Sequence, residues 1–325
     1  MVSIDWVIPP EARPDPDDWA YDIELALSAV VSIRAEIPED AFTASILGTE
    51  RAGSGVVIRE DGLVLTVGYL ITEAEQIWVG LSDGRALPGH ALAYDQETGF
   101  GLVQVLGRVG LNPLPLGRSR DLAPGDSVIS ASSGGLGSAL EARVVGVQEF
   151  AGYWEYLLDQ AIFTAPAHPF WGGAALIGSE GRLLGIGSLR VEPGSEQGVD
   201  QIPANMFVPV DLLSGILDDL LTYGRRNRPP RPWLGIYAAE RDSMVVVAGV
   251  ADGGPVDRAG VRLGDYIVGV GGTPVHDLAS LWRRVWAAGN AGAEISLQIV
   301  RDGKELSIDV VSADRTTFLK QPRLQ

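Results

Sequence analysis

The chain contains no cysteine among its 325 residues, which excludes disulfides, thiol catalysis and zinc sites built on thiolates. Histidine is nearly as scarce. Only His90, His168 and His276 occur, and no pair has metal-ligand spacing, so no metal or other cofactor is expected. No run approaches the ~18 consecutive apolar residues of a membrane span, so membrane insertion is not expected. The first ten residues, Met-Val-Ser-Ile-Asp-Trp-Val-Ile-Pro-Pro, lack both a basic region and the apolar stretch of a secretory leader. The expected location is therefore cytoplasmic, or periplasmic if the native N-terminus lies further upstream. Basic residues are also in short supply, 25 against 42 acidic, and the net charge is −17. A surface of that sign repels polyanions, so nucleic acid is not an expected partner.

The charge is unevenly placed. From Arg231 onward 11 acidic residues face 11 basic ones, so the whole excess lies in residues 1–230. Residues 1–24 form an acidic, proline-rich arm whose Trp6 and Trp19, with Tyr21 nearby, are suited to packing against protein. Apolar spacing over 22–31 predicts a helix start running into the strand Val30-Val31-Ser32-Ile33. From Gly53 to about Val210, short apolar runs alternate with turns such as Glu60-Asp61-Gly62 and Ser82-Asp83-Gly84. That rhythm predicts a mainly β sandwich or barrel. Asp211–Tyr223 has helical apolar spacing, and Gly224 should end the helix. Residues 225–232, Arg-Arg-Asn-Arg-Pro-Pro-Arg-Pro, read as a stiff linker. Beyond it the runs 244–247 and 266–270, a helix over 278–286 and two strands within 295–311 predict a second, α+β unit.

Residues 233–315 resemble a PDZ domain, on the strength of Trp233-Leu234-Gly235-Ile236 and the run Gly253-Gly254-Pro255-Val256-Asp257-Arg258-Ala259-Gly260-Val261-Arg262-Leu263-Gly264-Asp265-Tyr266-Ile267. The resemblance implies that Leu234, Gly235 and Ile236 form a loop whose amides capture the carboxylate of a protein or peptide C-terminus, with Leu281 helping to line the side-chain pocket. The alternative is that this stretch is a strand start sealed by its own neighbours. Residues 316–325 read as a tail.

Residues 25–224 resemble the trypsin-like domain of HtrA proteases. The likeness runs through Gly53–Thr66, Leu81–Arg85, Leu114–Gly117, Pro124–Ile129, the loop 165–176 and Phe207–Asp211. It implies a double β-barrel with a site between the barrels. That family's chemistry needs a serine nucleophile, a histidine base and an aspartate that orients it. At the matching positions this chain carries Gly172 in place of the serine, Tyr69 in place of the histidine and Gly99 in place of the aspartate. A phenol is a poor proton acceptor at neutral pH. The expectation is a chain that is not an enzyme, a pseudoprotease acting as a peptide-binding scaffold or adaptor. The alternatives are a serine endopeptidase with relocated catalytic residues and a purely structural assembly protein. His168, Phe170, Trp171 and Gly173 mark an altered cleft, which the bulk of Phe170 and Trp171 is expected to narrow or plug, with His168 on a surface or turn. Ser132-Ser133-Gly134-Gly135 lacks the strand–helix context of a phosphate loop. Tyr153-Trp154-Glu155-Tyr156 reads as core or contact. HtrA relatives also suggest a homo-oligomer, a trimer formed through N-terminal aromatic residues.

Overall fold

The computed structural model describes residues 7–192 and 202–320, and Trp6 lies outside them. The chain divides into two compact units. The first comprises residues 1–148, 160–226 and 320–325, and the second comprises 149–159 and 227–319.

The first unit holds two closed six-stranded antiparallel barrels. Helix α1 (Ile23–Ser28) leads into the first barrel, its free N-terminal amides met by the Asp22 carboxylate, which accepts from Leu25 N at 2.9 Å. That barrel uses β1 (Val30–Glu36), β2 (Glu50–Val57), β3 (Leu63–Val67), β4 (Gln76–Gly80), β5 (Ala86–Tyr94) and β6 (Phe100–Val105), in the order β1-β2-β3-β6-β5-β4. A short helix α2 (Ala44–Leu47) interrupts the β1–β2 connection. The Asp-Gly turns read from the sequence place Gly62 and Gly84 at φ 84° and 87°. A side chain is disfavoured in that left-handed region, which is why glycine stands there.

The second barrel uses β7 (Ser127–Ala131), β8 (Ala139–Gly152), β9 (Tyr156–Ala165), β10 (Ala175–Ile177), β11 (Leu183–Val191) and β12 (Ala204–Pro209), in the order β10-β11-β12-β9-β8-β7. Its interior is filled by Val128, Val144, Ile162, Leu176 and Phe207, all fully or almost fully buried. The single helix expected over 211–223 is two pieces, α3 (Asp211–Ser214) and α4 (Leu217–Tyr223). Ile216 leaves helical geometry at φ −129° next to Gly215, and Leu213, Ile216 and Leu220 all stay buried despite the break. Gly224 ends α4 at φ 69°, its N–H donating to Leu220 O at 3.0 Å.

The second unit is one antiparallel sheet and two helices. Its strands are β13 (Ile236–Arg241), β14 (Met244–Val250), β15 (Tyr266–Val270), β16 (Thr273–Pro274), β17 (Glu294–Arg301) and β18 (Lys304–Val311). They run β13-β14-β15-β17-β18, with β16 paired to β15, so β13 forms an edge. The helices are α5 (Pro255–Ala259) and α6 (Leu278–Ala287). Asp277 and Ser280 close a reciprocal capping box at the start of α6. Leu281, Trp282 and Val285 from α6 pack with Leu234, Ile236, Ile267 and Leu297 in a continuous core. Residues 149–159, the tip of the β8–β9 hairpin, belong to this unit.

Candidate active-site cleft and carboxylate loop

In the first unit the chain brings together Tyr69, Gly99 and Gly172, the positions expected from the sequence to match a triad. Tyr69 sits on a single 3-10 turn, Gly68–Leu70, immediately after β3. Gly68 N donates to Gly99 O at 2.7 Å, tying the turn to the β5–β6 connection. A Cβ built on Gly172 would stand 3.0 Å from the Tyr69 hydroxyl. A side chain at 172 would therefore crowd the phenol, and the two positions face each other across the site.

The connection that carries Gly99 is fixed by Asp95. Its buried carboxylate accepts from Thr98 N and Oγ1 at 2.9 and 2.6 Å. Arg226 closes a two-point pair with both carboxylate oxygens, each at 2.8 Å. Burial works against the charge, but Arg226 and Thr98 outweigh it and hold Asp95 below the usual carboxylate range. Gly99 itself adopts φ 81°.

The Tyr69 turn rests on a buried cation. Arg51 donates to Tyr69 O at 2.7 Å, Thr72 O at 3.1 Å and Thr43 Oγ1 at 2.8 Å. The Tyr69 hydroxyl donates to Ser188 O at 3.1 Å and takes a side-chain hydrogen bond from Trp171. Burial pushes its ionisation well above the ordinary tyrosine value, so the group is a neutral phenol across the physiological range.

The loop before Gly172 is set by His168, which the structure places fully buried rather than on a surface turn. Its backbone N donates to Asn205 Oδ1 at 2.5 Å, and Asn205 Nδ2 donates to His168 O at 3.2 Å. The ring lies with Nε2 3.0 Å from Ser138 O, and Phe170 N donates to Nδ1 at 3.0 Å. Those two partners require a neutral ring protonated on Nε2. Burial depresses its pKa in the same sense. The sequence offered no sign of this, because Asn205 and Ser138 are 37 and 30 residues away.

Phe170 and Trp171 do not close the cleft. A cavity of about 560 Å³ remains, lined by Ser54, Tyr69, Ser133, Ser138, Trp171 and Gly172 among others. Phe170 stands at its rim, 47% exposed, with its backbone held by His168. Gly173, at φ 74°, lies so close to Ser54 O that a Cβ would overlap it. Ser54 N in turn donates to Gly172 O at 2.8 Å. Stabilising a tetrahedral oxyanion requires amide donors aimed at the reacting carbonyl. Here Phe170 N is bound to His168 and Gly173 N donates to Gly187 O at 2.8 Å.

In the second unit, Leu234, Gly235 and Ile236 present three consecutive amides, with Gly235 at φ 80°. All three point at one carboxylate, that of Glu155. Leu234 N lies 3.1 Å from each oxygen, Gly235 N 2.6 Å and Ile236 N 3.0 Å from Oε1. Leu281 is fully buried beneath the loop, within the core that Leu234 and Ile236 share. The sequence marked the 153–156 segment as core or contact but gave Glu155 no role. An acidic residue between aromatics is the one signal that could have singled it out.

Two family models match the chain. One, described as a trypsin-like peptidase domain, covers residues 53–186, and the other, a PDZ domain, covers 232–311. A probable periplasmic serine endoprotease DegP-like from Pseudomonas fluorescens is 28% identical over 272 residues, 79% of this chain and 55% of that protein. The periplasmic pH-dependent serine endoprotease DegQ of Escherichia coli is 27% identical over 89% of this chain and 68% of its own length. Protease Do-like 1, chloroplastic, of Arabidopsis thaliana is 28% identical over 87% and 68% respectively. The chain thus spans between about half and two thirds of the curated relatives it matches. Among solved structures, the HtrA-type protease AlgW with tripeptide superposes with a TM-score of 0.52 at 21% identity, over 93% of this chain and 99% of that one. A serine endoprotease from Yersinia pestis gives 0.51 at 22% identity, over 90% and 98%. These likenesses establish the fold.

Two expectations change with these findings. That the chain is not an enzyme is overturned by the family evidence, since the curated relatives are named serine endoproteases. A cytoplasmic location gains no support either, two relatives being named periplasmic. Among the described residues no helix is long and apolar enough to cross a membrane.

Proposed function

We propose that this chain, as an HtrA-type trypsin-like protein carrying a PDZ domain, acts on polypeptides by binding them, as a scaffold or adaptor. Extended segments would enter the cleft of the first unit, and free C-termini would bind the amide loop at Leu234, Gly235 and Ile236. One observation carries the reading: the Tyr69 hydroxyl stands 3.0 Å from where a Gly172 side chain would begin. On the sequence match these are the positions of the family's nucleophile and base, and the neutral phenol and side-chain-free backbone found there support the binding role. The open cavity of about 560 Å³ supports retained access for a polypeptide. Periplasmic residence is part of the proposal, by analogy with the named relatives. So is a trimer built through the N-terminal aromatics. Light scattering that returned a monomer would remove the trimer.

Binding and turnover are separable, and the relatives' names favour a second reading. In that reading the chain is a serine endopeptidase working with groups other than residues 69, 99 and 172. A fluorophosphonate probe with a casein assay on the full chain decides between them. The binding role predicts casein retention without labelling. Labelling abolished by a single serine substitution would establish the endopeptidase and name its nucleophile.

A further inference from the structure

We propose that the carboxylate loop of the PDZ unit has a resident ligand within the same chain, the Glu155 side chain, which holds the groove in an internally liganded state. A polypeptide C-terminus would then gain the groove only by displacing the 149–159 tip. The inference rests on the reading of Leu234–Ile236 as a carboxylate site and adds to it what occupies that site at rest.

The contacts reproduce the chemistry of a bound peptide end. Three successive amides converge on the Glu155 carboxylate, which is buried at 4% exposure. Two residues back along the chain, Tyr153 O accepts from Ala238 N at 2.9 Å. Ala238 lies on β13, the edge strand, so the tip adds a main-chain bond along the one side of β13 that no strand of the sheet covers. Gly152 O accepts from Trp282 Nε1 of α6 at 2.9 Å. Ala151 and Leu157 pack onto the core that contains Leu234, Ile236 and Leu281. Arg283 of α6 ion-pairs with Glu149 and with Asp159, one on each arm of the tip. Carboxylate, backbone and apolar contacts are thus all supplied by one segment.

The turn conformation points the same way. Glu155 holds φ 60°. For a residue with a Cβ that region costs on the order of 1 kcal/mol, and glycine or asparagine is the usual occupant of such a turn. A strained residue persists where its surroundings over-determine it. Here the surroundings are three amide donors on its side chain. The tip is tethered, so its effective concentration at the loop is in the millimolar range or above, and competing ligands must overcome that advantage. The competitor that fits is a polypeptide with a free carboxyl end and a terminal apolar side chain.

The test uses the full chain, a fluorescein-labelled decapeptide ending in a free valine carboxylate, and its C-terminal amide. Glu155→Ala should bind the free acid about tenfold more tightly than wild type, since the competing state is removed. The amide should bind neither. Hydrogen exchange at Leu234, Gly235 and Ile236 gives an independent readout, with protection in wild type and loss of it in Glu155→Ala. Glu155→Gln keeps the side-chain length with a weaker acceptor and should fall between the two, which covers the case in which the alanine variant does not fold. Equal peptide affinity in all three proteins would overturn the resident ligand while leaving the PDZ reading intact. Unchanged amide protection in the variants would overturn it as well. Protection lost without any peptide binding would support the internal contact and count against the PDZ reading.

Discussion

Two buried titratable side chains in this protein respond to pH in opposite directions. Burial pushes the Glu155 carboxyl up from 4.5 to about 7, against the pull of the Leu234, Gly235 and Ile236 amides and of nearby Arg315. Tyr237 on β13 also faces it, while Arg283 of α6 is engaged by Glu149 and Asp159. An acid with a raised pKa binds more protons folded than unfolded. Its contribution to stability is therefore present below 4.5 and is lost as pH rises to about 7. Wild type should lose more stability than Glu155→Gln between those values, measured by urea unfolding at a series of pH values. Parallel profiles would show that Glu155 does not titrate in that window. His168 behaves in the other sense, because its depressed pKa leaves the unfolded chain binding more protons below 6.5. His168→Leu would leave the half-buried Ser138 O and Phe170 N without their ring partner. The expected cost is about 3 kcal/mol in denaturant unfolding, with the Phe170–Gly172 loop loosened. A change below about 0.5 kcal/mol would show that those bonds are readily replaced. Neither environment is visible in the local sequence, where both residues look like ordinary turn positions.

At the scale of elements, the β strands and their turns were legible, because alternating burial and left-handed glycines are local requirements. Gly62 and Gly84 stand where the Asp-Gly pairs placed them. The helix over 211–223 shows the limit of that reading. Its apolar spacing satisfies a single helix, but Gly215 and Ile216 break it, and the buried positions survive because packing constrains side chains more than helical continuity. The β5–β6 connection depends on a partner far along the chain, as Arg226 lies 131 residues from Asp95. Arg226→Ala leaves a buried carboxylate unpaired and should cost about 3 kcal/mol in thermal or denaturant unfolding. The Asp95 pKa is lowered in the fold, so its stabilisation is present above the ordinary carboxylate value and is lost as pH falls through the folded one. The Arg226→Ala penalty should shrink on acidification, and a pH-independent penalty would assign the loss to packing alone.

For the molecule as a whole, the question is what the retained cleft can support. Replacing Tyr69, Gly99 and Gly172 by histidine, aspartate and serine together restores the triad residue types. Casein hydrolysis should still stay within about tenfold of the starting rate, because Phe170 N remains bound to His168 and is not aimed at a reacting carbonyl. A gain of several orders of magnitude would show that the donors reorient once the nucleophile is present. Sequence by itself determined the two kinds of fold, the β-rich barrels and the PDZ unit, because hydrophobic period, turn chemistry and family motifs are written within a few tens of residues. It also suggested, through motif resemblance, that Tyr69, Gly99 and Gly172 stand at triad-matching positions. Tertiary structure alone decided that the cleft stays open around Phe170 and Trp171, that His168 is a buried brace, and that Glu155 fills the carboxylate loop 79 to 81 residues away in sequence. Those facts depend on desolvation and on hydrogen bonds between segments far apart in the chain, and neither is encoded by any one stretch of it.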